Sequence, residues 1–267
     1  MKKYLFFFRL RFTMGLQYRV AAWAGVFTQF FWGAMLILSF KAFYESDPSA
    51  FPMSFQATCS YFWLQQALLG LIGVGAMDGE FFNVISSGDV AYELCRPVDV
   101  YGMWFSRSAA SRVANALLRC VPALAVASFI PAPYGLMAPP SLGTFLCFLL
   151  SLALALGVVT ALCMIVYMIT FHTISPRGVR LIAVGLSDFL AGGIIPLPFF
   201  PEGLRRFLEL LPFSAMENVP LRIYSGDLAG QEMVRLMLLQ LFWIGALVLI
   251  GKLLEQKELK NVIVQGG

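Results

Sequence analysis

Thirty consecutive residues, Leu142–Phe171, pass without a single Asp, Glu, Lys or Arg. An α-helix rises about 1.5 Å per residue, so roughly twenty residues cross a hydrocarbon layer of about 30 Å. A run this long and this apolar sets the chain down as membrane-spanning. Similar spans recur along the sequence, divided by short loops. Six are expected, at Val20–Phe43, Phe55–Met77, Arg107–Ile130 with a polar start, Leu142–Phe171, Leu181–Phe200 and Glu232–Leu254. Only 13% of residues are charged, about half the usual share of a soluble domain, and mean hydropathy is +0.78. The expected fold class is therefore an all-α integral membrane protein, a single domain over 1–267.

The spans organise what lies between them. Residues 1–19 (MKKYLFFFRLRF at their start) are basic and aromatic, and suit an N-terminal interfacial helix at the cytoplasmic lipid surface. No small-residue cleavage site precedes the first span, so this segment is expected in the mature protein. Spans one and two occupy 20–77, a cytoplasmic connecting region 78–106, spans three to five 107–200, an external region 201–230, and span six with a cytoplasmic tail 231–267. Within the connecting region, Asp89–Leu94 is helix-compatible and stops at Arg96-Pro97, because a proline disfavours helix in the residue before it. Fourteen of the nineteen Lys and Arg residues fall on one side of this topology, among them Lys2, Lys3, Arg9, Arg11, Arg177 and Lys260. The other side holds Lys41, Arg205, Arg206, Arg222 and Arg235. Positive residues favour the cytoplasm, so both termini are expected there.

The stretch after the fifth span has a different character. Pro196, Pro198 and Pro201 are expected to end the fifth helix. Leu204, Phe207, Leu208 and Leu211 then recur at helical spacing with charges between them, and Pro212 and Pro220 divide the remainder. The segment is too apolar for a solvated loop and too short and charged to span. Re-entrant helices dipping into the outer leaflet are expected, with protein or water around any irregular backbone.

Chemistry is sparse. The lone histidine, His172, falls at a predicted helix end, where an interfacial role is expected. Neither GxSxG nor HExxH occurs, and the one Gly-Lys pair, Gly251-Lys252, lacks the other residues of a phosphate-binding loop. The five cysteines, Cys59, Cys95, Cys120, Cys147 and Cys163, form no CxxC pair, which argues against a disulfide framework or a zinc site. A net charge of +4 is too small for a nucleic-acid partner. Ionisable groups inside spans are costly. Asp188 and Arg119 are expected at similar depth, paired across two helices as a structural lock or as a gate. Gln65 and Gln66 in the second span serve as interhelical hydrogen-bonding groups or line a path.

Two local stretches resemble a known family. Ile85-Ser-Ser-Gly88-Asp-Val-Ala-Tyr-Glu-Leu94-Cys-Arg96-Pro97 is similar to the G…LxRP segment of a subgroup of small permeases often encoded beside a second permease and an ATPase. Pro196-Leu-Pro198-Phe-Phe-Pro201, with Leu211-Pro212-Phe213 and Pro220-Leu-Arg-Ile-Tyr-Ser-Gly226, is similar to that subgroup's external re-entrant region. These are ABC transporter permeases of the type-2 exporter class. Cys95 stands where an aliphatic residue is more usual. The resemblance implies a permease without ATPase activity of its own and with no cofactor in this chain. ATP and Mg would sit on cytoplasmic ABC ATPase subunits docked on Gly88, Asp89, Glu93, Leu94, Arg96 and Pro97. It implies a second permease chain, identical or sister, a prokaryotic inner membrane and export. The family's cargoes include lipids, polysaccharides, drugs and peptides, and no residue here chooses among them. Two rivals are a secondary transporter or channel without an ATPase, favoured by Asp188 and the broken fifth helix, and a membrane enzyme or assembly factor. The first lacks an internal repeat and the second lacks clustered catalytic residues.

Overall fold

The computed structural model describes residues 2–17, 19–47, 51–173 and 176–259. The expected tail from Lys260 onward, residues 48–50 between the first two expected spans and the side chains that open the first span lie outside the described residues. Among those described, every regular element is helical. In chain order they are α1 (Lys2–Gly15), α2 (Arg19–Ser46), α3 (Phe55–Ile72), α4 (Gly79–Ser87), α5 (Val90–Leu94), α6 (Val100–Phe129), α7 (Leu142–Thr170), α8 (Pro176–Leu190), α9 (Glu202–Glu209), α10 (Pro212–Met216), α11 (Asn218–Tyr224) and α12 (Gly230–Glu258). Single 3-10 turns lie at Val74–Ala76 and Leu197–Phe199. Five helical stretches are long and apolar enough to cross a membrane: α2, α3 with its continuation into α4, α6, α7 and α12.

The expected fifth span is shorter than its apolar sequence. α8 has 15 residues, about 22 Å of helix against a layer of about 30 Å. Its terminator is a glycine, not the proline tract. Gly192 adopts φ +87°. The Gly193 N–H donates to the Asp188 carbonyl and the Gly192 N–H to the Phe189 carbonyl, the two hydrogen bonds of a Schellman cap. The helix therefore closes before Pro196. Pro198, Pro201 and Pro212 instead shape the segment leading to α10, with Pro198 inside a 3-10 turn, Pro201 just before α9 and Pro212 at the start of α10, where a missing N–H costs nothing.

The chain still returns from one end of the bundle to the other in this region. Ser151 donates to Gln240 in the first halves of α7 and α12, and His172 meets Glu258 at 2.7 Å at their far ends. The two helices therefore run parallel. Residues between them must travel the whole length back, and α8 with the broken segment after it makes that journey. Gln240 also donates to the Ala215 carbonyl at 2.8 Å, so α10 sits well inside the bundle, beside the middle of α12.

Packing divides into two apolar layers. One joins α2, α3, α11 and the starts of α7 and α12 through Phe40, Tyr61, Phe62, Trp63, Phe148 and Leu236. The other joins α4, α5, the start of α6 and the end of α7 through Phe81, Trp104, Met164 and Tyr167. The proline-rich turn between α6 and α7 folds over the first layer. Its Tyr134 carbonyl accepts from Trp63 at 2.8 Å and its Met137 N–H donates to Ser60 at 2.9 Å.

Between the layers α3 stops, at Ile72, although apolar sequence continues to Met77. Helix ends leave carbonyls without partners, and a buried end needs donors. Arg112 of α6 supplies them. Its Nη1 donates to the carbonyls of Leu71 at 3.1 Å and Gly73 at 2.8 Å, and its Nη2 to Cys163 Sγ at 3.0 Å. The side chain is fully buried with no carboxylate against it among the described residues. Its charge is met by the negative end of a helix. Arg112→Met should orphan the Leu71 carbonyl, at about 1–3 kcal/mol, and leave the Gly73 carbonyl with only the Ala76 N–H at 3.3 Å. We expect a clearly lower thermal midpoint in detergent and a poor monodisperse yield, with partial recovery in Arg112→Lys; wild-type behaviour in Arg112→Met would contradict this role.

Candidate functional site

The region singled out as a docking element begins at the break after α3. Asp78 caps α4 by accepting from the Glu80 N–H at 3.0 Å, and its own N–H donates to the Tyr167 hydroxyl at 2.8 Å. α4 ends at Gly88, whose φ of +78° needs a glycine. Asp89 begins α5, and Asp99 caps α6 by accepting from the Gly102 N–H at 2.7 Å. That cap starts α6 seven residues before the expected Arg107.

A lattice of charges ties these elements together. Arg11 of α1 pairs with Asp78 and, at 2.8 Å, with Glu80, and its Nε donates to Ser111 of α6 at 3.0 Å. Arg107 of α6 pairs with Glu80 and, at 3.2 Å, with Glu93 of α5. Trp104 donates to Glu93 at 3.0 Å, and Arg96 approaches the same carboxylate at 3.9 Å. α1 itself runs in register along α6, with Tyr4 against Gly102 and Gly15 against Ala114. Lys3 donates to the Pro97 carbonyl at 3.3 Å. The Tyr101 N–H donates to Glu255 at 2.8 Å, fastening the end of α12. Half-buried ion pairs of this kind exact a desolvation cost, and they favour one geometry because each partner lost leaves a charge unpaired.

The six expected docking residues divide. Asp89, Leu94, Arg96 and Pro97 are exposed and Gly88 is half-buried. Glu93 is buried against Trp104 and Arg107, beneath the exposed residues and away from the surface they form. Its helix places it opposite Tyr92, which sequence reasoning passed over and which is 72% exposed. The outward face of α5 is thus Asp89, Tyr92, Leu94, Cys95, Arg96 and Pro97.

The intramembrane residues are rearranged more deeply. Arg119 and Asp188 do not pair. Arg119 lies against Gly25 of α2, while Asp188 lies at the end of α8 near Glu217. The buried arginine of α6 is Arg112, two turns earlier, and its partners are two carbonyls and the Cys163 sulfur, which no residue pattern announces. Gln65 is buried and donates to the Gly193 carbonyl at 2.8 Å and to Glu217. It holds the capped end of α8 and the α10–α11 hairpin to α3. Gln66 faces Gly33 of α2. Around Glu217, the Tyr61 hydroxyl and the Asn218 amide are buried with no hydrogen-bond partner among the described residues. α11 is fixed from the other side by Arg222, which pairs with Glu209 at 2.6 Å and with Asp227.

A family model described as ABC-2 family transporter protein matches residues 30–263. No curated protein and no solved structure matches the chain.

Glu217 lies outside the five spans, and burial pushes its carboxyl up to about 7, with the Gln65 amide opposing and Asp188 adding to the rise. An unfolded glutamate ionises near 4.5. The raised carboxyl therefore disfavours folding increasingly as pH climbs from that value through about 7. Glu217→Gln keeps the oxygen that Gln65 donates to and removes the titration. Between about pH 5 and about pH 8, the wild-type thermal midpoint should fall by several degrees relative to the variant; parallel curves would exclude a raised Glu217.

Proposed function

The chain belongs to the ABC-2 transporter family, and from that premise we propose that it is the transmembrane subunit of an ATP-driven exporter, forming half of the substrate path. ATP and Mg would bind on separate cytoplasmic ATPase subunits. The carrying observation is the braced α5 surface. Tyr92, Leu94, Arg96 and Pro97 face outward, while Glu93 beneath them is locked to α4, α6 and, through Glu80 and Arg11, to α1. A force applied to such a face is passed to spanning helices and is not absorbed by a loop.

The same reading places a sister or identical permease beside this one, since one small bundle encloses little space. It also gives the chain six crossings with both ends in the cytoplasm. The parallel course of α7 and α12 supports an additional crossing by α8 and the segment after it. The α9–α11 region, held at depth by Gln240 and Gln65, is then a re-entrant gate on the external side of a prokaryotic inner membrane. α1 turns Leu5, Phe6, Leu10 and Met14 outward, the face that an interfacial helix would give to lipid.

Affinity purification of the tagged full chain from its native membrane, in mild detergent with mass spectrometry, tests this. A stoichiometric cytoplasmic ATPase is expected, together with a second permease or a second copy. Arg96→Gln should reduce ATPase recovery about tenfold or more while lowering the thermal midpoint far less than a change at Glu93, because its own contact with Glu93 is long and half exposed and its charge acts mainly on the partner. Glu93→Lys should lower the midpoint itself, since it breaks a buried pair. A chain that purifies stably without any ATPase in several detergents would point to a self-contained transporter or channel.

A further inference from the structure

A cleft of about 590 Å³ opens between α1, α6 and the irregular backbone that joins α3 to α4. Asp78 and Glu80 on its rim are both paired with Arg11, and Glu80 also with Arg107. Arg119 in its wall has no ion pair or hydrogen bond among the described residues. A guanidinium within a spanning helix is normally paired, and here it lies against Gly25, where a Cβ would come within 2.7 Å of Cζ. Asn115, one turn before Arg119 on the same helix face, also lines the cleft and makes no hydrogen bond among the described residues. Ser111, a further turn back, accepts from Arg11 and keeps its own O–H to donate. The cleft thus presents three donor side chains in a row, one of them a cation, while its two carboxylates, Asp78 and Glu80, are each engaged by arginine.

We propose that this cleft binds the phosphate of an anionic phospholipid headgroup, with Arg119 as the charge that holds it and Asn115 and Ser111 as further donors. The geometry favours a lipid over a free anion. Met14 of α1 lines the cleft, and it and Leu10, one turn before it, are apolar side chains that the protein leaves uncovered. Acyl chains seated there would keep the headgroup at the mouth of the cleft, and Lys2, Lys3 and Arg9 of α1 add positive charge at the same membrane face. This site does not depend on the ATPase reading, because it needs only that the chain be embedded in a bilayer.

The test uses the full purified chain, with whatever partners accompany it, delipidated in detergent. Phosphatidylglycerol, phosphatidylcholine and inorganic phosphate are added separately, and retention is read by native mass spectrometry alongside the thermal midpoint. Phosphatidylglycerol should be retained and should raise the midpoint. Phosphatidylcholine should do both more weakly because its choline cation offsets the phosphate, and inorganic phosphate should do neither. Equal retention of the two lipids would contradict a site for an anionic headgroup. Arg119→Gln should weaken retention about tenfold, the loss expected for one charge-assisted contact. Asn115→Asp guards against misfolding, since it gives Arg119 an internal partner one turn away. That variant should keep or raise the lipid-free midpoint and lose phosphatidylglycerol. Equal retention of phosphatidylglycerol by wild type and Asn115→Asp would overturn the proposal. So would stabilisation by inorganic phosphate equal to that by the lipid, which would make this a small-anion site.

Discussion

Arg112 sits where the polypeptide leaves regular helix inside the bundle, and much of the architecture depends on its being there. α3 gives up its hydrogen-bond ladder at Ile72, and α4 takes it up again at Gly79. In water such a break is inexpensive. Within a hydrocarbon layer its carbonyls must find donors from the protein. One guanidinium reaches two of them and the Cys163 sulfur as well. Arg180 reaches the Gly75 carbonyl at 3.0 Å, and Tyr167 receives the Asp78 N–H. The turn is therefore fixed by α6, α7 and α8 together, and the direction in which α4 leaves is fixed with it.

From that turn outward, electrostatics takes over from backbone satisfaction. Asp78 is at once the cap of α4 and a partner of Arg11, so the break and the N-terminal helix share a residue. Glu80 and Glu93 extend the connection through Arg107 to α5 and α6. Two aromatic rings back it: Arg107 lies 5.0 Å over Phe81, and Phe81 packs 4.9 Å from Trp104. The outcome is a stiff cap on one end of a helical bundle whose other end is closed by a tyrosine and proline turn and by the α9–α11 segment. The two ends of the bundle thus differ, with a charge-braced set of short helices at one and a divided, glycine-capped segment at the other.

The spans were legible because their signal is additive. α2, α7 and α12 each carry an apolar stretch longer than any soluble pattern, and their observed limits differ from expectation by a few residues. The local course of the connecting stretch was legible through Gly88 and Pro97, residues with fixed backbone consequences. The features that escaped were pairwise. Nothing in the composition distinguishes Arg112 from Arg119, which lie two turns apart; only the packing of α3 against α6 decides which meets open carbonyls. Glu93 carries the charge expected of a contact residue, yet its place on α5 turns it to Trp104. The early end of α8 did have a signal, in Gly192-Gly193, but the nearby prolines are the louder punctuation. The pairing of Gln65 with Gly193 joins residues far apart in sequence, and no local rule anticipates it.

Stiffness of the cap is the claim on which the mechanical account rests, and a distance measurement addresses it directly. In the assembled complex, with native cysteines replaced, spin labels at Leu5 on α1 and Tyr92 on α5 occupy outward positions, 68% and 72% exposed. The account predicts one narrow distance distribution between them, the same in the nucleotide-free state and under ATP turnover, and a broadened one in Glu93→Gln. A wild-type distribution that shifts or splits when ATP is added would show α5 moving apart from α1 and α6, and would contradict the lattice as the element that carries force into the spans.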